Sequence, residues 1–303
     1  MSTPRLSIII PTYNRPHLLP RAVNSALEQT LDDLEVIVVD DASTEPMNLP
    51  EDPRLRIIRL PENKGGAAAR NVGAREARGR WLAYLDDDDW LLPHMAAVSL
   101  DALAHTTLPK PVAALSGIEV VNAEGKVTQT RLPPTMPRGS HFLLEEIEPG
   151  QSFLCKQTMV VERDVLLGIG GFDESFPSRV HTELFLRLNP VCSILGLPTV
   201  TYQLFAHQGT RVSRDSSLRQ VVFNRLVRKH ESLFNAHPKA FANFLYEHAC
   251  RLYELGQTGA ALSTLLWAMQ INPRHTVARM VWPFRKRLHS YTSRKIAALA
   301  SSD

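Results

Sequence analysis

The period of the apolar positions changes repeatedly along this chain. Leu6-Ser7-Ile8-Ile9-Ile10 is a β-branched run closed by Pro11, and Leu19, Ala22, Val23, Ala26 and Leu27 then recur at helical spacing between Pro16 and Gln29. The same alternation repeats: strands are predicted over Leu34 to Val39, Arg54 to Leu60 and Trp81 to Leu85, with a helix from Gly65 to Ala77. Strands alternating with helices predict βαβ units, hence an α/β fold whose mostly parallel sheet carries helices on both faces.

Further along, Val112 to Val121 and Lys126 to Leu132 read as an antiparallel hairpin joined by Asn122-Ala123-Glu124-Gly125. Ser152 to Glu162 is expected to return to a strand, Arg163 to Leu167 to form a short helix, and Ser193 to Phe205 to contain another strand. Beyond Arg214 the stripes are helical throughout. Leu255-Gly256 followed by Ala260, Ala261, Leu262, Leu265 and Ala268 resembles one tetratricopeptide-type hairpin, which cannot bury its own face alone. The expected division is residues 1–212 for the α/β domain and 213–303 for a helical C-terminal region.

Composition changes little in this picture. The chain of 303 residues is 44% hydrophobic and 21% charged with a formal net charge of +3, an ordinary globular balance that does not call for nucleic acid. Cys155, Cys192 and Cys250 are widely spaced and read as reduced, packed thiols of a cytoplasmic protein. Met1 to Arg5 leads directly into the first strand, so no leader is expected, and no apolar stretch is long enough to cross a bilayer. The charge distribution matters more: no acid occurs between Glu254 and Asp303, while Arg274, Arg279, Arg285, Lys286, Arg287, Arg294 and Lys295 interleave with Val277, Met280, Val281, Trp282, Phe284 and Leu288. Such a tail suits peripheral docking at an anionic membrane face, or packing of a terminal amphipathic helix on the protein itself.

The candidate chemistry lies where strands end. Leu85-Asp86-Asp87-Asp88-Asp89-Trp90 sets four carboxylates at the carboxyl end of a strand, the edge where open α/β sheets bind ligands. Two carboxylates about 4 Å apart repel by about 4 kcal/mol at an effective dielectric near 20, so the cluster needs a cation, a proton or bulk water. Alternation along an extended segment puts Asp86 and Asp88 on one side, and Asp89 suits the cap of a helix starting near Leu91. Pro11-Thr12-Tyr13-Asn14 after the first strand lacks the glycines of a dinucleotide loop. It instead offers hydrogen-bonding groups and an aromatic face on which a base could stack, with Asp41 at the neighbouring strand end. Lys64 and Arg70 flank a glycine-opened helix and are placed to reach a diphosphate.

Downstream, Gly170-Gly171-Phe172-Asp173-Glu174 is a glycine turn preceding a helix that carries His181 and Glu183 near its start. Either could accept the proton of an attacking hydroxyl; alternatively Thr182 caps the helix and His181 is solvated. His207-Gln208-Gly209-Thr210-Arg211 is a polar loop that could close over a ligand, or an ordinary connector.

The ordered set Ser7 to Arg15, Val39 to Ser43, Asn63 to Gly73, Leu85 to Trp90 and Gly170 to Glu174 resembles the family 2 glycosyltransferases over about residues 5 to 205. The resemblance implies a GT-A fold and inverting transfer from a nucleotide sugar, with a UDP-linked donor expected and Mn²⁺ or Mg²⁺ on its diphosphate. It implies that Pro11, Thr12, Tyr13 and Asp41 hold the nucleoside, that Asp86-Asp87-Asp88 is the DxD element, and that Asp88 is the metal ligand. It further implies a glycan or lipid-linked acceptor at the cytoplasmic membrane face. One departure stands out: Val180 and His181 occupy the places of the family's Glu-Asp pair, with Glu183 two residues later. Either His181 or Glu183 then serves as base, or the chain binds nucleotide sugars without turning them over.

Overall fold

The computed structural model describes residues 3–206 and 216–281. The chain forms two compact units, residues 1–215 and 216–303. In the first, β1 (Leu6–Thr12), α1 (Leu19–Leu27), β2 (Leu34–Asp40), β3 (Leu55–Arg59), α2 (Gly66–Glu76) and β4 (Trp81–Tyr84) follow the predicted alternation. β5 (Trp90–Leu91), α3 (Met95–His105), β6 (Val112–Val121), β7 (Val127–Arg131), β8 (Val160–Glu162), α4 (Arg163–Gly168), α5 (Val180–Leu188) and β9 (Ser193–Phe205) complete it.

Among the described residues the strands form one sheet in the order β3-β2-β1-β4-β8-β6-β9-β5, with β7 beside β6. β3, β2, β1 and β4 run parallel; β8 is antiparallel to both β4 and β6, and β9 is parallel to β6. The sheet is thus mixed beyond β4. All residues of β1 and β2 are buried because helices cover both faces. Leu6, Ile8, Ile10, Val36 and Val38 join the core under α1 and α3, while Ile9, Ile37 and Val39 join that under α2, α4 and α5. One-residue alternation along each strand divides the two cores.

The small residues of α2 let it approach β1 closely. A Cβ built on Gly73 would lie 2.4 Å from Ile9 Cγ2 and 3.3 Å from Val39 Cγ2. Gly73→Ala is therefore expected to destabilise this unit by about 1–3 kcal/mol, read as a lower melting temperature. An unchanged melting curve would mean that the helix can lift without cost.

Three local expectations are corrected. Ser152 to Glu162 is not one strand: Phe153–Thr158 is a 3₁₀ helix opened by the Ser152 side chain, and only Val160–Glu162 pairs in the sheet. No helix starts near Leu91, since Trp90 and Leu91 pair antiparallel with Gln203 and Tyr202; α3 begins at Met95 without a side-chain cap. α5 follows Arg179, held at φ 58°, and Thr182 does not cap it. β6 and β7 do pair as the expected hairpin.

In the second unit, α6 (Ser216–Lys229), α7 (Glu231–Ala236), α8 (Pro238–Glu254) and α9 (Thr258–Ile271) are all helical. Gly256, at φ 75°, turns α8 into α9: its N–H donates to the Tyr253 carbonyl, and the Gln257 N–H to that of Leu252. Phe241 packs edge-on to Trp267 across this hairpin. The loop His207 to Arg211 and the basic tail from Trp282 onward lie outside the described residues. No described helix is long and apolar enough to cross a membrane.

Candidate functional site

Parallel register brings the candidate residues to one sheet edge. Thr12 ends β1 beside Asp40 of β2, and the Leu85 N–H extends β4 by bonding to the Ile9 carbonyl. The loops after β1, β2 and β4 therefore leave the sheet side by side.

The four aspartates divide their work. Asp87 turns inward, where its two oxygens accept from Thr12 Oγ1 and from Arg15, each at 2.8 Å. Burial outweighs both partners and holds the Asp87 carboxyl above its ordinary value. Asp86, Asp88 and Asp89 bring carboxylate oxygens within 4.8 Å of one another. Asp86 pairs with Arg70 at 2.5 Å and Asp88 with Arg15 at 3.2 Å. Asp89, 3% exposed, is not a helix cap: it accepts from the Tyr202 hydroxyl and the Phe205 N–H, both at 2.9 Å. Burial and the Asp89 charge push the Tyr202 phenol well above its usual pKa, so it remains a donor. Three clustered carboxylates form an all-oxygen set suited to a hard divalent cation such as Mg²⁺ or Mn²⁺.

The loop after β1 is braced rather than free. Asn14, at φ 52°, accepts from the Thr44 N–H through its side chain, and its own N–H donates to Ser43 Oγ. Tyr13 beside it is 45% exposed. Each oxygen of Asp41 accepts one backbone N–H at 2.8 Å, from Lys64 and Gly65, which ties the start of α2 to the end of β2. A carboxylate oxygen has a second lone pair, so Asp41 retains acceptor capacity. Lys64 is exposed and pairs with Glu62 at 3.3 Å.

Asn71 of α2 docks the glycine turn. Its side chain accepts from the Phe172 N–H and donates to the Phe172 carbonyl, each at 2.8 Å, and also donates to Glu174 at 2.9 Å. A Cβ on Gly171, at φ 66°, would meet Asn71 Oδ1 at 2.5 Å, so both space and backbone conformation require glycine there. The docked Phe172 ring lies 5.1 Å from that of Tyr84, 5.3 Å from that of His181 and 5.8 Å from the Arg70 guanidinium. This places the half-buried His181 within the field of Asp86 and Arg70. Desolvation first, then Arg70, pulls its imidazole pKa to about 3 against the opposing pull of Asp86, leaving it neutral near pH 7.

Glu183 faces elsewhere. It is fully buried and accepts two hydrogen bonds from Arg187, at 2.8 and 2.6 Å, and Arg187 also holds the Ile169 and Gly171 carbonyls. The pair braces the same turn that carries Phe172. Sequence reading overlooked Arg15, Asn71, Tyr202 and the third carboxylate of Asp89. Only Asn71, polar among the alanines and glycines of α2, left a local signal; the others acquire partners 72 to 116 residues away.

The family described as Glycosyl transferase family 2 matches residues 7–165. An uncharacterized glycosyltransferase of Haemophilus influenzae is 28% identical over 230 residues, 74% of this chain and 76% of that protein. The succinoglycan biosynthesis protein ExoO of Rhizobium meliloti is 42% identical over 94 residues, covering 30% of this chain and 27% of ExoO. Among solved structures, S. aureus TarS 1-349 in complex with UDP-GlcNAc aligns over 90% of this chain and 83% of that one, with a TM-score of 0.64 at 18% identity. At that identity the likeness speaks for the fold.

Proposed function

The chain belongs to glycosyl transferase family 2, and from that membership we propose that it is an inverting, metal-dependent transferase moving a sugar from a UDP-linked donor to a hydroxyl of a cell-surface glycan. The observation that carries this reading is the cluster of Asp86, Asp88 and Asp89 at the sheet edge that also carries Asp41 and the exposed Tyr13. Support for the donor comes from the TarS complex with UDP-GlcNAc, and for the product class from the polysaccharide context of ExoO.

In this reading the base stacks on Tyr13, and Asp41 takes base or ribose hydrogens with its remaining lone pairs. Thr12 and Asn14 hold the loop in place, with Pro11 fixing its start. Asp88 and Asp86 would hold Mn²⁺ or Mg²⁺, which would neutralise charge on the diphosphate leaving group. Lys64 and Arg70 face the same phosphates; Arg70 Nε is buried without a hydrogen-bond acceptor among the described residues and has a proton to offer. His181 is neutral and able to accept the acceptor hydroxyl's proton, whereas the Glu183 carboxylate is committed to Arg187.

A second reading rests on the same imidazole. A base with a pKa near 3 removes a hydroxyl proton weakly, as in a protein that binds nucleotide sugars without turning them over. Incubating the full chain with a panel of UDP-sugars and Mn²⁺ separates the two. UDP release by transfer or hydrolysis is expected for at least one donor and is lost with EDTA. Tight donor binding without UDP release from any donor supports the binding protein, and turnover that survives EDTA refutes the metal assignment.

A further inference from the structure

Lys156 in the 3₁₀ helix is a nearly buried charge, 7% exposed. Its ammonium donates to the Phe153 carbonyl at 2.5 Å, lies 5.7 Å from the centre of the Phe142 ring, and makes no ion pair among the described residues. An ammonium carries more protons than that one bond uses. A buried cation without a counter-ion is costly, a cost relieved by loss of the proton or by a ligand that brings the counter-charge.

Its surroundings add positive charge. Burial pulls the Lys156 pKa to about 8, with Cys155 opposing and Arg179 and Arg131 adding to the effect. The Arg131 guanidinium binds the neutral side chain of Gln129, at 3.0 and 2.9 Å. Arg179 stands two positions before His181, and His181 feels Lys156 as well as Arg70 and Asp86. The Phe142 ring that Lys156 approaches packs 4.6 Å from that of Phe185 on α5, the helix that carries His181, and the Ser152 N–H donates to the Leu132 carbonyl at 2.7 Å, which brings the 3₁₀ helix beside Arg131; the proposed donor chemistry leaves Lys156 and Arg131 unused.

We propose that Lys156, with Arg131, anchors an anion site next to His181 that takes a carboxylate or phosphate group of a substrate, separate from the donor diphosphate. This rests on the donor-site reading above. Two sources share the chemistry: a uronate carboxylate on the transferred sugar, and an acidic group on the acceptor.

The test is calorimetric titration of the full chain with Mn²⁺, comparing wild type, Lys156→Met and Arg131→Gln. UDP-glucuronate against UDP-glucose probes a charged donor sugar, and methyl phosphate added to UDP-saturated protein probes the acceptor side. At least one of these anionic probes is expected to bind about tenfold more weakly or worse to both variants, while UDP itself changes less than about twofold. Lys156→Met should melt no lower than wild type, because it removes an uncompensated buried charge. If it does melt early, Arg131→Gln decides by the same ratios. The proposal is overturned if neither anionic probe weakens, or if UDP weakens as much as they do, which would assign Lys156 to the diphosphate. Should wild type fail to bind UDP at all, the donor reading falls, and methyl phosphate added to the nucleotide-free protein decides the anion site alone.

Discussion

Asp88→Asn is expected to lower sugar transfer by about 10³-fold while leaving the melting temperature nearly unchanged. The argument follows from the division of labour among the aspartates. Asp87 holds both Thr12 and Arg15 at 2.8 Å, so the loop after β1 keeps its anchor when Asp88 loses its charge. What Asp88→Asn removes is one anionic oxygen from the cluster with Asp86 and Asp89. The stabilisation lost is of charge that develops on the diphosphate as the bond to the sugar breaks, so the effect belongs to the rate. Asp87→Asn provides the contrast: it exchanges a buried charged acceptor for a neutral amide facing Thr12 and Arg15, and should lower both the rate and the melting temperature. Transfer by Asp88→Asn within about tenfold of wild type, measured at saturating Mn²⁺, would refute the assignment.

His181→Ala and Glu183→Gln should part in opposite directions. His181→Ala is expected to reduce turnover by about 10² to 10⁴, the usual range for loss of a positioned base, with little change in melting. Glu183→Gln leaves Arg187 beside a neutral amide and is expected to destabilise the unit by about 3–5 kcal/mol, while the protein that remains folded retains its rate. The opposite outcome, a lost rate with intact melting for Glu183→Gln, would transfer the base to Glu183. Full activity in both variants would remove the base from this helix altogether.

The pH dependence carries the same signature. His181 is held at about 3 in the folded protein, below its ordinary value of 6.5, so it is neutral from pH 5 to 8 and its titration should put no acidic limb on kcat in that window. Because the folded pKa is the lower one, the unfolded chain binds the proton first as pH falls. The corresponding stability is present above about pH 6.5 and is lost progressively as pH falls toward 3. In His181→Ala this part of the acid destabilisation should disappear, which urea melts at pH 4 and pH 7 would measure.

Much of the α/β domain was legible because its signals are local. β1 and β2 are β-branched runs buried on both faces, and β6 coincides with the run Val112 to Val121. The misread stretches are those whose state depends on a neighbour. Trp90-Leu91 has the apolar look of a helix start, yet pairs with Gln203 and Tyr202, more than a hundred residues away. Phe153 to Thr158 is apolar enough for a strand; in the fold it is a tight helical turn, and its Thr158 hydroxyl accepts the Ser116 N–H of β6. In each case a partner outside the reading window overrode local propensity.

By itself, the sequence determined the sheet edge and the family: apolar periodicity sets the strands, and their acidic and glycine-rich ends appear in an order that few folds share. Only the tertiary structure decided what each side chain does there. Alternation suggested that Asp86 and Asp88 share a side, but it could not show Asp89 joining them through Tyr202 and Phe205, or Asp87 turning to Arg15. Likewise His181 and Glu183 are two residues apart on one helix and nearly equivalent on paper. Successive helical positions project about 100° apart, so side chains two residues apart point to different surroundings. Packing sent one to Phe172 beside the aspartates and the other into the grip of Arg187.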